Sequence, residues 1–183
     1  PLLFMVLDRW QLREDARVAA KAPPEPDVVP LDIGGHAIVV GYGRVGSQLA
    51  QLLQERGVPL VVIEEDADRV AQARARGLPT VRGNVANRQV MLEAAPARAN
   101  LAIFAMPQAL EAGEAVERLK AINPAISVLA RAHSEAQVRH LLEHGADAAV
   151  LAERELAFSL ADMVMATPPY RPAQAKPTPA PSL

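Results

Sequence analysis

Gly41, Gly43 and Gly46 stand at G-x-G-x-x-G spacing in "GYGRVG", and Glu64 follows Gly41 by 23 residues. Residues of these types at this spacing suit one task, holding a phosphorylated nucleoside. The first glycine permits a tight turn, the second lets a phosphate approach the backbone, and the third lets a helix pack against its strand. The helix that such a loop opens offers free N–H groups and its positive dipole end to the phosphate. A carboxylate at Glu64 accepts from ribose hydroxyls and repels a 2′-phosphate, which disfavours NADP relative to NAD, AMP or ATP.

Other chemistry-bearing residues carry less. "HLLEH" at residues 140–144 matches H-x-x-E-H and sets His140 and His144 on one helical face, as two metal ligands require. Imidazoles in the last turn of a helix ending at Gly145 are equally explained by the helix dipole, and no metal site is assigned. His133 is the best-placed general base, yet next to Ser134 and Glu135 it reads as a residue that caps or lines a turn. A Tyr-x-x-x-Lys pair is missing, since Tyr42 is followed four places on by Gly46 and Tyr170 by Gln174. With no cysteine, thiolate catalysis and cysteine zinc sites are excluded. No catalytic residue is expected.

The elements that must position the loop follow from periodicity. Short apolar runs at 37–40, 60–63, 80–81, 101–105, 127–130 and 148–151 read as strands, most of them apolar enough for burial on both faces. Helical spacing fills the intervals: Val45, Leu49, Leu52 and Leu53 fall at i, i+4, i+7 and i+8. Gly57, Gly77 and Gly145 stand where left-handed C-caps belong, and Asn123-Pro124 stops the fourth helix. The alternation implies an α/β, Rossmann-like doubly wound parallel sheet of six strands with helices on both faces, and the glycine loop occupies its first βα turn.

The chain of 183 residues supports one core, and its formal charge of −2 gives no positive field for nucleic acid, which is not expected as a partner. "PLLFMVL" at residues 1–7 is apolar but shorter than the roughly 20 residues that cross a bilayer. It is compatible with the last turns of a membrane helix, Arg9 and Trp10 at the interface, or with a segment docked on the domain. "PPEPDVVPLD" at 23–32 holds four prolines and reads as an extended linker, and six prolines in residues 167–183 read as a disordered tail. The last helix, 153–166, spreads Leu156, Phe158, Leu160, Met163, Val164 and Met165 over more than one face, which suggests a partner.

The segments "HAIVVGYGRVGSQLAQLL", "PLVVIEED", "GLPTVRGNV", "LAIFAMP", "ISVLARAHSE" and "GADAAVLAERELA", in that order, resemble the RCK domain, also called TrkA-N or KTN, that regulates potassium channels and transporters. The chain is most similar to the C-terminal cytoplasmic domain of Kef-type cation:proton antiporters, especially their YbaL-like group. The resemblance covers residues 36–166 and implies that residues 1–10 end a transmembrane helix and 11–35 form the linker. It implies ligand contacts from Gly41, Tyr42, Gly43, Arg44, Val45 and Gly46 in the loop, Glu64 after strand two, Asn84 after strand three, Ala105 and Met106 after strand four, and Arg131 after strand five.

Many family members have Gly-Asp-Ala where this chain has Gly83-Asn84-Val85. Asn84 serves equally as a ligand contact or as a turn residue capping the next helix. The resemblance implies an adenine nucleotide, AMP first among AMP, ATP and NAD/NADH, and a homodimer through the sheet edge and C-terminal helix. It also implies a membrane transport domain in the same polypeptide, at the cytoplasmic face of the bacterial inner membrane. The expected function is gating of potassium or cation:proton antiport by bound nucleotide. A free-standing NAD-dependent oxidoreductase is the alternative, but it would need a substrate region and a proton donor that the residues do not supply.

Overall fold

A computed structural model describes residues 29–30 and 32–167. The expected end of a membrane helix at 1–10, the linker up to residue 28 and the tail from 168 lie outside the described residues. No helix among the described residues is long and apolar enough to cross a membrane.

The elements alternate along the chain: β1 (Ala37–Val40), α1 (Arg44–Glu55), β2 (Leu60–Glu64), α2 (Ala67–Ala75), β3 (Thr80–Arg82), α3 (Arg88–Glu93), a 3-10 turn (Pro96–Arg98), β4 (Leu101–Phe104), α4 (Ala109–Ile122), β5 (Ser127–Ala132), α5 (Glu135–Glu143), β6 (Ala148–Leu151) and α6 (Ala152–Ala166). The six strands pair in parallel in the order β3-β2-β1-β4-β5-β6, so the chain reverses its direction of winding between β1 and β4. That reversal is the point where an open α/β sheet binds ligands, beyond the carboxyl ends of its strands. The sheet and its six strands match the sequence expectation. Strand ends differ by one or two residues: β4 stops at Phe104 rather than Ala105, while β5 runs on to Ala132.

Two apolar layers hold the sheet. On one face Ile38, Val40, Ala102, Phe104, Val128 and Ala130 pack with Val116 and Leu119 of α4 and Leu141 of α5. On the other, Ala37, Val39, Leu60 and Val62 pack with Ala50 of α1 and Ala73 of α2. The second layer does not reach across the whole sheet. In β5, Val128, Ala130 and Ala132 are buried while the alternate residues Ser127 and Leu129 are exposed and Arg131 is half-buried. In β6, Ala148 and Val150 are exposed on that same side, opposite Leu129 and Arg131 in the register. The expectation that most strands are covered on both faces is corrected for β5 and β6.

Helix α1 needs a second correction. Its buried residues are Gly46 and Ala50, whereas Val45 and Leu52 of the apolar stripe are 42% and 47% exposed. Small residues let the helix lie close on β1, Leu53 packs against the same layer, and Val45 and Leu52 turn away from the sheet. Helix α6 has no buried residue at all, although Leu156, Phe158, Leu160, Met163, Val164 and Met165 lie along it. The glycines after α1, α2 and α5 do have positive φ, as C-caps require, at Gly57, Gly77 and Gly145.

Candidate functional site

The loop from β1 to α1 turns back at Gly41, whose φ of +91° is a conformation that favours glycine. A Cβ at Gly46 would sit 1.8 Å from the Gly41 carbonyl oxygen, so α1 packs on the loop only because that position is bare. Around Gly43 the space is open, a Cβ there meeting nothing nearer than Arg69 Nη1 at 3.9 Å. Gly41 thus makes the turn and Gly46 the close packing, while Gly43 leaves the space beside the backbone open.

In front of the loop lies a cleft of about 1060 Å³, lined by Gly41, Gly43, Arg44, Val45, Glu64, Asn84, Ala105, Met106 and Arg131 among others. The volume matches the upper range of small-molecule sites. All but one of the expected ligand positions line this cleft; Gly46 lies beneath the loop, buried against Gly41 and Ala105. Tyr42 lines it differently from expectation. Its ring is only 3% exposed and belongs to the layer with Val39, Ala50 and Val62, so what it offers the cleft is backbone.

Glu64 is more deeply engaged than its sequence position suggests. Its carboxylate is 6% exposed and accepts three backbone N–H groups: Tyr42 at Oε2, and Glu65 and Asp66 at Oε1, each of the latter two at 2.9 Å. Arg69 Nη1 stands 3.9 Å from Oε1. A carboxylate has about four lone-pair sites, so the three N–H bonds leave one, on Oε2. A ribose hydroxyl can donate there. The same residue therefore ties the end of β2 to the glycine loop.

Asn84 follows Gly83 and makes an Asx turn, its Oδ1 accepting from Ala86 N–H at 2.7 Å. The N-cap of α3 is Asn87, which accepts from Gln89 N–H at 2.9 Å. Asn84 thus shapes the turn without being the cap, and its amide nitrogen lies 3.4 Å from Glu65 Oε2. Glu65, Asp66 and Arg69 line the cleft too and were not singled out from the sequence. Their position directly after the acidic residue of β2 was the available signal.

At the far side of the cleft, Arg131 has a buried Nε without a hydrogen-bond partner. His133 is not positioned as a lone base: its Nδ1 lies 2.9 Å from Glu153 Oε1, and its N–H donates to Gln137 Oε1 at 2.7 Å. Ser134 is the N-cap of α5. The His133 contact first, and the charges of His133 and Arg131 with it, hold the Glu153 carboxyl below the usual glutamate range. His140 and His144 are part of the helix packing. Their rings lie 4.1 Å apart, His144 Nδ1 contacts the His140 carbonyl at 2.8 Å, and the His140 ring sits where a Cβ on Gly113 would be. Among the described residues, no group of three or more His, Asp or Glu is arranged to hold a metal.

Residues 37–152 match the TrkA-N domain model. The chain is 39% identical over 172 residues to the cation/proton antiporter YbaL of Escherichia coli (strain K12), with 92% of this chain aligned and 31% of that protein. It therefore spans about a third of the relative's length. Among solved structures, the TrkA-N domain of inner membrane protein ybaL from Escherichia coli superposes with a TM-score of 0.70 at 42% identity, covering 73% of this chain and 99% of that one. The Shewanella denitrificans Kef CTD in AMP-bound form shares the fold, at a TM-score of 0.63 and 21% identity, with 73% of this chain and 82% of that chain covered. With this parallel sheet, this glycine loop and a family model matched over most of the described residues, the chain belongs to the TrkA-N domain family.

Proposed function

We propose that this chain is the regulatory module of a monovalent cation:proton antiporter, that it binds an adenine nucleotide in the cleft above β1, and that it acts as a homodimer. The single observation that carries the nucleotide reading is the glycine loop opening a cleft of about 1060 Å³ at the N-terminus of α1, with Glu64 across from it. Phosphate would meet the N–H groups of α1 and ribose the free lone pair of Glu64 Oε2. The run Glu64-Glu65-Asp66 disfavours a 2′-phosphate, so NADP is the weakest candidate. AMP leads ATP and NAD(H); the Kef CTD described above was solved with AMP.

The homodimer reading rests on two uncovered surfaces in one chain. Leu129 and Val150 are exposed on the side of the sheet where α1 stops short, and α6 leaves β6 with no residue buried. A second copy's α6 and β6 edge would cover both. The mechanism is a population shift: nucleotide biases the dimer to the extent that it binds one arrangement more tightly than another. The Pro-rich segment at 23–32 would pass that bias to a transport domain in the same polypeptide, at the cytoplasmic face of the bacterial inner membrane.

Thermal stabilisation by AMP, ATP, NAD and NADH tests the site. A ligand at a hundred times its Kd adds about 2.7 kcal/mol, which is about 5–11 °C for a chain of this size. Absence of a shift with every one of the four overturns the nucleotide reading. Potassium transport by the full-length antiporter that is the same with and without saturating nucleotide overturns the gating.

A further inference from the structure

Arg69 borders the open side of the glycine loop from the helix that follows β2. It is the third residue of α2, and its backbone N–H is fixed by the cap of that helix, Asp66 Oδ1 accepting from it at 3.0 Å. Gln72, one turn further along α2, lines the cleft as Arg69 does, so this face of the helix is a wall of the site. The guanidinium has two neighbours there. Its Nη1 lies 3.9 Å from Glu64 Oε1 and 3.9 Å from the point that a Cβ on Gly43 would occupy. One cation therefore touches the surroundings of both the carboxylate and the bare face of the loop, the face that lets a phosphate come up to the backbone.

The donors of this arginine are not committed. A separation of 3.9 Å from Glu64 is too long for a hydrogen bond, and among the described residues the Arg69 side chain, 51% exposed, makes no other polar contact. Glu64 takes its hydrogen bonds from the N–H groups of Tyr42, Glu65 and Asp66 instead. Arginine carries five N–H donors in a planar fork that fits phosphate oxygens two at a time. Three consecutive carboxylates, Glu64, Glu65 and Asp66, line the cleft beside it and repel an anion. A cation at this point offsets that repulsion where a phosphate would enter.

We propose that Arg69 is a ligand-contacting residue of the nucleotide site: its guanidinium donates to the 5′-phosphate on the open side of Gly43 and so selects the 5′-phosphorylated nucleoside over the bare nucleoside. The inference rests on the nucleotide reading above. A phosphate admitted by the missing Cβ comes within reach of Nη1, because the guanidinium is already 3.9 Å from that point and its half-exposed stem is free to turn. Glu64 and Arg69 then divide the ligand between them, the carboxylate accepting from the ribose and the guanidinium donating to the phosphate.

The experiment is calorimetric titration of the 183-residue chain and of its Arg69→Gln and Arg69→Lys variants with AMP, with adenosine and 2′-AMP measured by their displacement of AMP. Arg69→Gln weakens AMP binding about tenfold, the scale of one charge-assisted hydrogen bond in a half-exposed setting. Adenosine affinity stays within about twofold of wild type. Arg69→Lys, which keeps the charge and loses the fork, falls between wild type and Arg69→Gln for AMP. Both variants melt without ligand within about 2 °C of wild type, since an exposed pair at this separation adds little to stability, so a loss of AMP binding is not a loss of fold. AMP affinity unchanged in Arg69→Gln overturns the proposal. Adenosine falling as far as AMP also overturns it, because Arg69 then acts through Glu64 or on the base, and 2′-AMP falling as far as AMP overturns it by placing the guanidinium on the ribose side. In each of these cases the wild-type chain still binds AMP and only the role of Arg69 falls. If the wild-type chain binds no AMP, the nucleotide reading falls and takes this role with it.

Discussion

Replacing Glu64 by Gln separates two things that one carboxylate does. The substitution keeps the size of the side chain and removes one acceptor oxygen. In the wild type, Oε1 accepts from Glu65 and Asp66 and Oε2 accepts from Tyr42, whose N–H is buried. A glutamine can satisfy only one side. With its oxygen towards Glu65 and Asp66, its NH2 faces the Tyr42 N–H, donor against donor; turned round, it abandons the other two. The better choice leaves one buried donor without a partner, at about 1–3 kcal/mol, and turns two charge-assisted bonds into neutral ones at about 0.5 kcal/mol each.

The sum, about 2–4 kcal/mol, lowers the melting temperature of the ligand-free chain by about 5–15 °C at the usual scaling for this size. Thermal denaturation without nucleotide measures it, with Glu65→Gln as the exposed control expected to stay within about 0.5 kcal/mol of wild type. Nucleotide binding fails in Glu64→Gln as well, because the loop is displaced and the ribose acceptor is weakened. If the ligand-free variant melts within about 1 °C of wild type while losing nucleotide binding, the carboxylate is a ligand group only, and its tie to the glycine loop contributes nothing.

Four further outcomes can be measured elsewhere in the chain. Gly43→Ala leaves the ligand-free melting temperature within about 2 °C of wild type, since its Cβ finds Arg69 Nη1 only at 3.9 Å, yet it weakens nucleotide binding by filling the phosphate approach; Gly46→Ala, with its Cβ 1.8 Å from the Gly41 carbonyl, costs more than about 3 kcal/mol in urea denaturation. Leu156→Asp together with Leu160→Asp, two exposed positions on α6, converts a sedimenting dimer to monomer without lowering the monomer's helix content by circular dichroism. Asp147 accepts from Lys120 Nζ at 2.8 Å and from Val128 N–H at 2.6 Å, and the Lys120 bond above all holds its carboxyl below the usual aspartate range. Because the folded-state value is depressed, the contact stabilises fully above the unfolded pKa of about 3.9 and is lost as pH falls through the lower folded value. Asp147→Asn therefore costs up to about 1 kcal/mol at pH 7, after allowing for its exposure, and flattens the acid limb of the stability curve below pH 4.

The glycine loop, Glu64 and the six strands were legible because each rests on a local rule: a bare Cβ position, a residue count, an apolar run between turns. What the rules could not report was the direction in which a side chain faces. Val45 and Leu52 sit at the right spacing for a buried stripe and yet face outward, because α1 sets Gly46, Ala50 and Leu53 against the sheet instead. Tyr42 lies between two glycines that line the cleft, but its ring is buried in the core.

The open half of the sheet shows the same limit on a larger scale. Ser127, Leu129 and Arg131 alternate with Val128, Ala130 and Ala132, a one-faced strand pattern that is hidden because Leu129 is apolar on the exposed side. An apolar residue at an uncovered position is ordinary by itself, and only a run of them on neighbouring elements points to a covering partner. Leu129 and Val150 on the open sheet and the apolar residues of α6 are exposed together, and the proposed homodimer rests on them. Within the single chain no residue of α6 is buried, and among the described residues its first turn is held only by the exposed His133–Glu153 and Glu135–Arg154 pairs, so the double substitution Leu156→Asp and Leu160→Asp tests what its apolar residues are for without touching the core.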